Sequence, residues 1–181
     1  MRNTLLIFFC LTALLLTACA SGPELKEARS AGTVLDDEVI ETRARDKLYG
    51  DPELVKTIHV NVTSYDRVVL LTGEALSEVL RDKAVDIVRN LDKVRRVHNE
   101  IRVKDLTPFK SRANDSWIST KIKTKMLTTE GFDSSGIKVV TEEGVVFLMG
   151  KVSRATGHQA AEIARRVEGV ARVVLLFEYR D

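Results

Sequence analysis

Two groups of residues in this sequence have the types and spacing to do chemistry, and the first surrounds Cys19. Arg2 is followed by a short apolar run that leads into the tetrapeptide Leu16-Thr17-Ala18-Cys19. A basic start, a short apolar stretch and small residues before a cysteine are typical of a secretory signal that ends in a lipobox. The sequence therefore predicts a signal peptide at residues 1–18, with a covalent diacylglycerol and an N-acyl chain on Cys19. An ordinary signal peptide with a chance cysteine is the alternative.

The prediction for Cys19 has consequences for the compartment and for cysteine chemistry. The apolar run is too short to cross a bilayer as a helix, which takes about 20 residues. Cys10 lies in the part that is removed, so that no thiol remains for a disulfide bond or a metal. Ala20 and not aspartate follows the cysteine, and similarity to enterobacterial lipoproteins then implies sorting to the periplasmic face of the outer membrane.

The second group is a run of apolar and basic residues without any acid between Ser116 and Thr129. Its members are Trp117, Lys121, Lys123, Lys125 and Leu127. If a helix forms here with Ile118, Ile122 and Met126 inward, Trp117 points about 140 degrees away from that stripe. An exposed tryptophan beside lysines is typical of a helix that lies among lipid headgroups. The segment therefore predicts binding to an anionic lipid surface, where each lysine contributes on the order of 1 kcal/mol.

A related segment in the first half of the sequence has Val39 at the place of Trp117. That segment mixes acidic and basic residues, and we expect it not to bind anionic lipid. Two alternatives stay open for the second half. In one, the Trp117 ring folds over the edge of its own sheet or packs between domains, and in the other the lysines form an ordinary solvated face.

Residues that could carry catalysis or bind a metal are scattered along the sequence. His59, His98 and His158 fall in different segments, without the spacing of zinc ligands or of a general base and its partner. No glycine-rich phosphate loop follows a strand, and no serine or carboxylate pair has a nucleophile's setting. We therefore predict no enzyme activity, no catalytic residue and no metal site. The predicted compartment argues against nucleic acid more firmly than the balance of 28 basic and 26 acidic residues.

The chain contains one unit twice, at an offset of about 77 residues. The matching segments are Val69–Gly73 with Val146–Gly150, Asp37–Ile40 with Asp115–Ile118, and Leu91–Val97 with Val167–Val173. In each copy the hydrophobic periodicity predicts helix, strand, strand, helix, strand. We therefore predict an α+β fold of two tandem α-β-β-α-β domains. Each is a three-stranded mixed sheet covered on one face by two helices, with the other face wet.

Composition and capping residues divide the chain into segments. The predicted segments are a tether at 19–35, a first domain at 36–105, a linker at 106–113 and a second domain at 114–181. The first helix of the first domain is predicted to begin at an N-cap formed by Asp36 or Asp37. In the second domain, Asn114 or Asp115 has the same predicted role.

Gly73 and Gly150 occupy the same position in the two copies, after the second strand's apolar run. Each is predicted to end that strand at a place where a side chain would meet the following helix. We therefore expect a structural role for both glycines and no part in binding.

The residues quoted above resemble those of the BON domain: an Asp-capped helix, a strand ending in Leu-x-Gly, an Ala-rich helix and a Val-rich last strand. The most specific strings are Asn61–Tyr65, Asn99–Arg102, Asn114–Ile118 and Val146–Gly150. With the lipobox, the chain resembles the dual-BON-domain lipoproteins of Gram-negative envelopes. The resemblance implies binding of anionic phospholipids such as phosphatidylglycerol or cardiolipin through the second domain. It also implies gathering at division sites and support of outer-membrane integrity.

By this resemblance the phospholipid-binding surface comprises Trp117, Lys121, Ile122, Lys123, Lys125 and Leu127. The inclusion of Ile122 conflicts with the helix geometry, which turns that residue inward. A different function is also open, namely a protein-interaction adaptor for the envelope or outer-membrane assembly machinery that uses the mixed-charge surface of the first domain. A hydrolase of envelope material is a third hypothesis, for which no residue can be named.

Overall fold

The structure, a computed structural model, describes residues 30–106 and 109–180, without the side chains of residues 109–112. Cys19, the predicted signal peptide and most of the predicted tether lie outside these residues. The first five elements, which we call domain 1, are α1 (Ala31–Gly50), β1 (Ile58–Tyr65), β2 (Val68–Ala75), α2 (Glu78–Arg89) and β3 (Arg96–Val103). Domain 2 consists of α3 (Phe109–Thr128), β4 (Ile137–Glu142), β5 (Val145–Val152), α4 (Arg154–Arg165) and β6 (Arg172–Tyr179).

Both domains have the predicted α-β-β-α-β order and the same sheet topology. In domain 1 the sheet order is β1-β2-β3, with an antiparallel hairpin and a parallel third strand. The order β4-β5-β6 in domain 2 repeats this pattern. The two helices of each domain contact the same sheet. The predicted α+β fold of two tandem units, each with a three-stranded mixed sheet, is confirmed.

The inner face of each sheet packs against the apolar stripes of its two helices. In domain 1 the stripe Ile40, Ala44 and Leu48 of α1 is buried in the core. In domain 2 the stripe Ile118, Ile122 and Met126 of α3 is buried in the same way. The four-residue spacing places each stripe on one helical face, and full burial of a large apolar side chain stabilises by about 1.5–3 kcal/mol.

The predicted wet face of the sheets is wrong, because the two sheets pack against each other. Tyr65, Val68 and Leu70 of domain 1 form one buried cluster with Phe147 and Met149 of domain 2. All eight residues of the central strand β2 are buried as a consequence. The molecule therefore has four layers, with helices outside and two sheets inside, and burial of apolar side chains on both faces of each sheet.

Charged side chains form ion pairs between the domains at the rim of this interface. Arg95 donates to both carboxylate oxygens of Glu178, at 2.7 and 2.6 Å. On another side, Lys138 donates to the Glu41 carboxylate at 2.8 Å and to the Ser64 carbonyl at 3.0 Å. Pairs of this kind fix the register of the two sheets more than they add stability, since they are partly exposed.

Both domains begin their first helix earlier than the sequence analysis placed it. The N-cap of α1 is Ser30, whose hydroxyl accepts from the Thr33 N–H at 3.1 Å. Helix α3 already includes residues 109–113, which were assigned to the linker, and residues 31–35 of the predicted tether are helical. The predicted N-caps at Asp36 or Asp37 and at Asn114 or Asp115 are therefore wrong.

Asp37 instead lies in the second turn of α1 and binds the β1–β2 turn. It is 3% exposed, and its carboxylate accepts from the backbone N–H groups of Asp66 and Arg67 at 2.9 and 2.8 Å. Both turn residues have positive φ, 49° and 63°. A two-residue turn of this type suits the twist of a hairpin but favours Asn and Gly. The buried carboxylate thus stabilises a turn that its own residues disfavour.

Domain 2 has the same contact between its first helix and its hairpin turn. The Asp115 carboxylate is 5% exposed and accepts from the N–H groups of Glu143 and Gly144 at 2.8 and 2.9 Å. These two residues form the β4–β5 turn, again with positive φ. In both domains one aspartate therefore ties the first helix to the hairpin and fixes the rotation of that helix.

Gly73 and Gly150 are structural, but the reason differs from the predicted one. The strands β2 and β5 continue past them to Ala75 and Val152. A Cβ on Gly73 would lie 2.0 Å from the His59 carbonyl oxygen, and one on Gly150 would lie 2.1 Å from that of Gly136. The backbone of β1 at Gly73, and that of the residue just before β4 at Gly150, therefore exclude a side chain, and the following helix does not.

We expect Asp37→Asn and Asp115→Asn each to lower the free energy of unfolding by about 2 kcal/mol. An amide oxygen can accept from one turn N–H, but the amide NH₂ then faces the other donor. Urea unfolding of the two variants measures the loss. Asp46→Asn, at an exposed position of α1, is the control, and equal stability of all three variants would show that the turn contact is dispensable.

Gly73→Ala and Gly150→Ala should each cost at least about 3 kcal/mol, because the strands must separate to admit the methyl group. Thermal unfolding followed by circular dichroism measures this cost. Gly50→Ala is the matched control, since a Cβ there meets nothing within 4 Å. If the strand variants melt at the temperature of the control, the argument from close backbone contact is wrong.

Candidate functional site

Helix α3 exposes two large apolar side chains on the face away from its sheet. Its inner face consists of Asp115, Ile118, Ile122 and Met126, all at most 5% exposed. Trp117, the residue before Ile118 in the sequence, is 58% exposed. The prediction that the indole points into solvent is thereby confirmed, and it follows from the 100° rotation per residue. A ring enclosed by the sheet edge or by the other domain is excluded.

Trp117 stands at one end of an open groove of about 460 Å³ between α3 and the C-terminal end of α4. The groove is lined by Trp117, Thr120, Lys121, Thr124, Lys125 and Thr128 of α3, and by Arg166, Val167 and Glu168. The two walls are close together because the backbone of Gly169 lies against Ile118. An added Cβ on Gly169 would be 3.0 Å from the Ile118 Cδ1 atom.

The groove has a cationic character. Lys121, Lys125 and Arg166 face a single acid, Glu168, whose side chain is 93% exposed. Lys121 Nζ is 3.9 Å from that carboxylate, and an exposed pair of this length contributes little. Within residues 30–106 and 109–180, no ion pair is formed by Lys123, Lys125 or Arg166. Their charges are therefore available to an anionic ligand.

Lys121 also contacts the tryptophan. Its Nζ lies 5.0 Å from the centroid of the Trp117 ring, within the range of a cation–π interaction. This contact holds the ammonium group beside the indole at the mouth of the groove. An apolar ring with an adjacent cation is the arrangement that suits the boundary between lipid headgroups and acyl chains.

Two threonines that line the groove have hydroxyls bound to their own helix. Thr120 Oγ1 donates to the Ser116 carbonyl at 2.9 Å, and Thr128 Oγ1 donates to the Thr124 carbonyl at 3.0 Å. A hydroxyl that bonds back to its own helix has its hydrogen-bonding need met locally. The floor of the groove is therefore less polar than its sequence suggests.

Domain 1 has a groove at the equivalent place but with a different charge. It is lined by Arg43, Asp46, Lys47, Asn90, Leu91 and Asp92, so that two acids balance two bases. Val39, 43% exposed, stands where domain 2 has Trp117. The expected difference between the domains is therefore present in the structure, because the first groove has neither the aromatic ring nor the excess positive charge.

The structure places the predicted binding residues in three locations. Trp117, Lys121 and Lys125 line the groove. Lys123 and Leu127 are exposed on α3 but do not line the groove, and Leu127 is 74% exposed. Ile122 is 0% exposed in the core of domain 2, so its assignment to the binding surface is wrong and the helix geometry was right. Cys19 lies outside the described residues.

Arg166 and Glu168 are groove residues that the sequence analysis missed. They belong to the turn after α4, and their position beside α3 depends on how the two helices pack. The internal repeat shows that the two copies differ in the turn after the second helix, which carries Gly169 in one copy and Lys93 in the other. Neither residue type indicated a place beside Trp117.

The three histidines lie apart in the structure. His59 Nδ1 approaches the Glu74 carboxylate at 3.4 Å, and His158 is exposed on α4. Burial, aided by Arg96, lowers the pKa of His98 on β3. In the described part of the chain, no three histidine, cysteine or acidic side chains are grouped to hold a metal. None of its helices combines the length and apolarity that crossing a membrane takes.

Comparison with known proteins agrees with this architecture. The chain is 39% identical to the protein named 21 kDa hemolysin of Actinobacillus pleuropneumoniae, over 84% of this chain and 79% of that protein. It is 30% identical to outer membrane lipoprotein DolP of Haemophilus influenzae, over 98% of this chain and 92% of the relative. Osmotically-inducible protein Y of Escherichia coli is 31% identical, over 78% and 72% respectively. The BON domain model matches residues 36–105 and 114–181, and the chain therefore belongs to the BON-domain family.

Proposed function

We propose that this protein is an outer-membrane lipoprotein that binds anionic phospholipid through the outer face of α3. The observation that carries the proposal is the exposed Trp117 beside Lys121 on a helix face without acids. The similarity to a protein named outer membrane lipoprotein supports the location. In this proposal Cys19 carries the diacylglycerol and N-acyl chains, and both domains face the periplasm.

The contacts of α3 are suited to choosing a lipid more than to anchoring the protein. Insertion of an indole and a leucine at the headgroup level yields a few kcal/mol. Lys121, Lys123, Lys125 and Arg166 would each add on the order of 1 kcal/mol near an anionic surface. Together these give modest affinity, which is sufficient when an acylated Cys19 already holds the protein at the membrane. The charge then discriminates phosphatidylglycerol or cardiolipin from neutral lipid.

The wider role that we propose is support of outer-membrane integrity, including at division sites. Each domain contributes differently. Domain 2 provides the lipid contact, whereas the balanced charges of the domain 1 groove fit no anionic surface. Domain 1 instead supports domain 2 through the packed sheets.

Trp117→Ala should weaken binding of residues 20–181 to phosphatidylglycerol vesicles about tenfold, because the largest buried apolar area at the interface is lost. Cosedimentation with vesicles measures the change. Leu127→Ala should weaken binding by a smaller factor. Val79→Ala is the matched control, since Val79 is 74% exposed like Leu127 but lies on α2 of domain 1.

Equal binding of wild type to phosphatidylglycerol and to neutral vesicles would contradict the proposal, as would full binding by Trp117→Ala. In either case the alternative function, an adaptor for envelope proteins, would be favoured. Crosslinking in cells that captured one stoichiometric protein partner independently of Trp117 would then support that alternative.

The basic residues should act by charge, so that their effect depends on salt. Lys121→Ala and Lys125→Ala should each lower the affinity for anionic vesicles about fivefold at low ionic strength. In about 1 M salt the Debye length falls to about 3 Å, and the two effects should nearly vanish while that of Trp117→Ala persists. Lys47→Ala, in the equivalent groove of domain 1, is the control. A lysine effect that is independent of salt would indicate a packing role instead.

A further inference from the structure

A carboxylate of domain 2 is buried against the sheet of domain 1. Glu142, the last residue of β4, is 7% exposed. Its Oε2 atom accepts from the Asn61 amide on β1 at 3.0 Å and from the Thr72 hydroxyl on β2 at 3.1 Å. Both donors belong to the other domain and both are neutral. Among the residues that the structure describes, no cation forms an ion pair with Glu142, so it contacts domain 1 through neutral donors.

The charged groups around Glu142 are mostly acids. Glu74 of β2 is 1% exposed, and Asp115 of α3 is bound to the adjacent turn. His59 of β1 approaches Glu74 at 3.4 Å without a hydrogen bond to its Oε2 atom. Glu143, the residue after Glu142, forms ion pairs with Arg102 and Lys104 of domain 1.

This environment favours the neutral form of the carboxyl group. Burial raises the pKa of Glu142 above its ordinary value of 4.5, and the charges of Glu74 and Asp115 act in the same direction. The hydrogen bonds from Asn61 and Thr72 oppose this shift. A protonated carboxyl could keep accepting both hydrogen bonds and would remove a buried charge.

We propose that Glu142 is a proton-sensitive contact that tightens the packing of the two domains as the pH falls. The ionised carboxylate weakens the interface because it is desolvated next to two other acids. Protonation relieves this cost and so stabilises the contact between the sheets, with both hydrogen bonds kept. The proposal concerns the interface between the sheets and does not depend on lipid binding by α3.

The sign follows from linkage. A group whose pKa is raised in the folded state binds protons more readily there than in the unfolded chain, so that stability increases as the pH falls. The contribution is complete below the unfolded pKa, near 4.5, and is lost as the pH rises through the raised pKa. His98 changes stability with pH in the opposite direction. Its pKa is lowered in the folded state, so its contribution favours the folded state at higher pH.

The test compares the full-length wild type with Glu142→Gln in mild detergent, by urea unfolding between about pH 5 and about pH 8. The glutamine keeps the shape and an acceptor oxygen but carries no charge. We expect Glu142→Gln to be more stable than wild type at the upper pH, with a gap that closes as the pH falls. Each unit of pKa shift corresponds to a tenfold change in the unfolding equilibrium constant. The histidines are the same in both proteins, so their contribution to the pH dependence cancels when the two free energies of unfolding are subtracted.

Asn61→Asp shows whether the effect crosses the interface. It places a second carboxylate of domain 1 against Glu142, so it should destabilise wild type much more than the Glu142→Gln background at neutral pH. Glu130→Gln, at an exposed position of domain 2, should leave the pH profile unchanged. A gap between wild type and Glu142→Gln that is the same at every pH would overturn the proposal, as would equal effects of Asn61→Asp in both backgrounds.

If Glu142→Gln does not fold, a measurement on the wild type alone still tests the proposal. Carbon NMR of the side-chain carboxyl groups follows the titration of Glu142 directly. A midpoint above 4.5 supports the proposal. A midpoint at or below 4.5 overturns it, because the folded state would then prefer the ionised form.

Discussion

The contact between Asp115 and the β4–β5 turn is the constraint on which the proposed binding face of domain 2 depends. It ties α3 to the hairpin and fixes the rotation of the helix about its axis. With Asp115 inward, the 100° step per residue carries Ile118, Ile122 and Met126 into the core and leaves Trp117 outside. A single buried carboxylate therefore serves both stability and the direction of the indole. Asp37 makes the same contact in domain 1, where Val39 is the residue left outside.

The packing of the two sheets adds a second constraint, since it joins the domains into a four-layer unit. The β4–β5 turn is where the two constraints meet. Glu142 reaches Asn61 and Thr72 of domain 1, Glu143 pairs with Lys104, and the backbone of the same turn holds Asp115. The groove of domain 1 has balanced charges, yet this domain fixes the turn to which α3, the helix of the proposed lipid-binding face, is attached. In this arrangement domain 1 supports the proposed binding face through packing and not through a lipid contact of its own.

The sequence predicted the repeated fold and the direction of Trp117 because both follow from helical periodicity within one element. The prediction of a wet face was wrong for the sheet faces that point away from the helices. The runs Val68–Leu71 and Val145–Met149 are apolar without alternation, as in strands buried on both faces. The alternating polar residues of β3 masked this signal. β3 is an edge strand of its sheet, so its side chains lie at the rim of the interface and can be polar. Capping preferences also could not distinguish a helix start from an aspartate that binds a distant turn. Arg166 was out of reach because its place beside α3 depends on helix packing.

Trp117 is the sole tryptophan of the chain, so its fluorescence reports on the proposed binding face without a label. The most direct test is to add phosphatidylglycerol vesicles that contain brominated acyl chains to residues 20–181. We predict a blue shift of the emission and quenching by the bromines, with neither change for neutral vesicles of the same acyl composition. An emission spectrum that stays unshifted and unquenched while the protein cosediments with the anionic vesicles would contradict the account, because lipid would then be bound elsewhere.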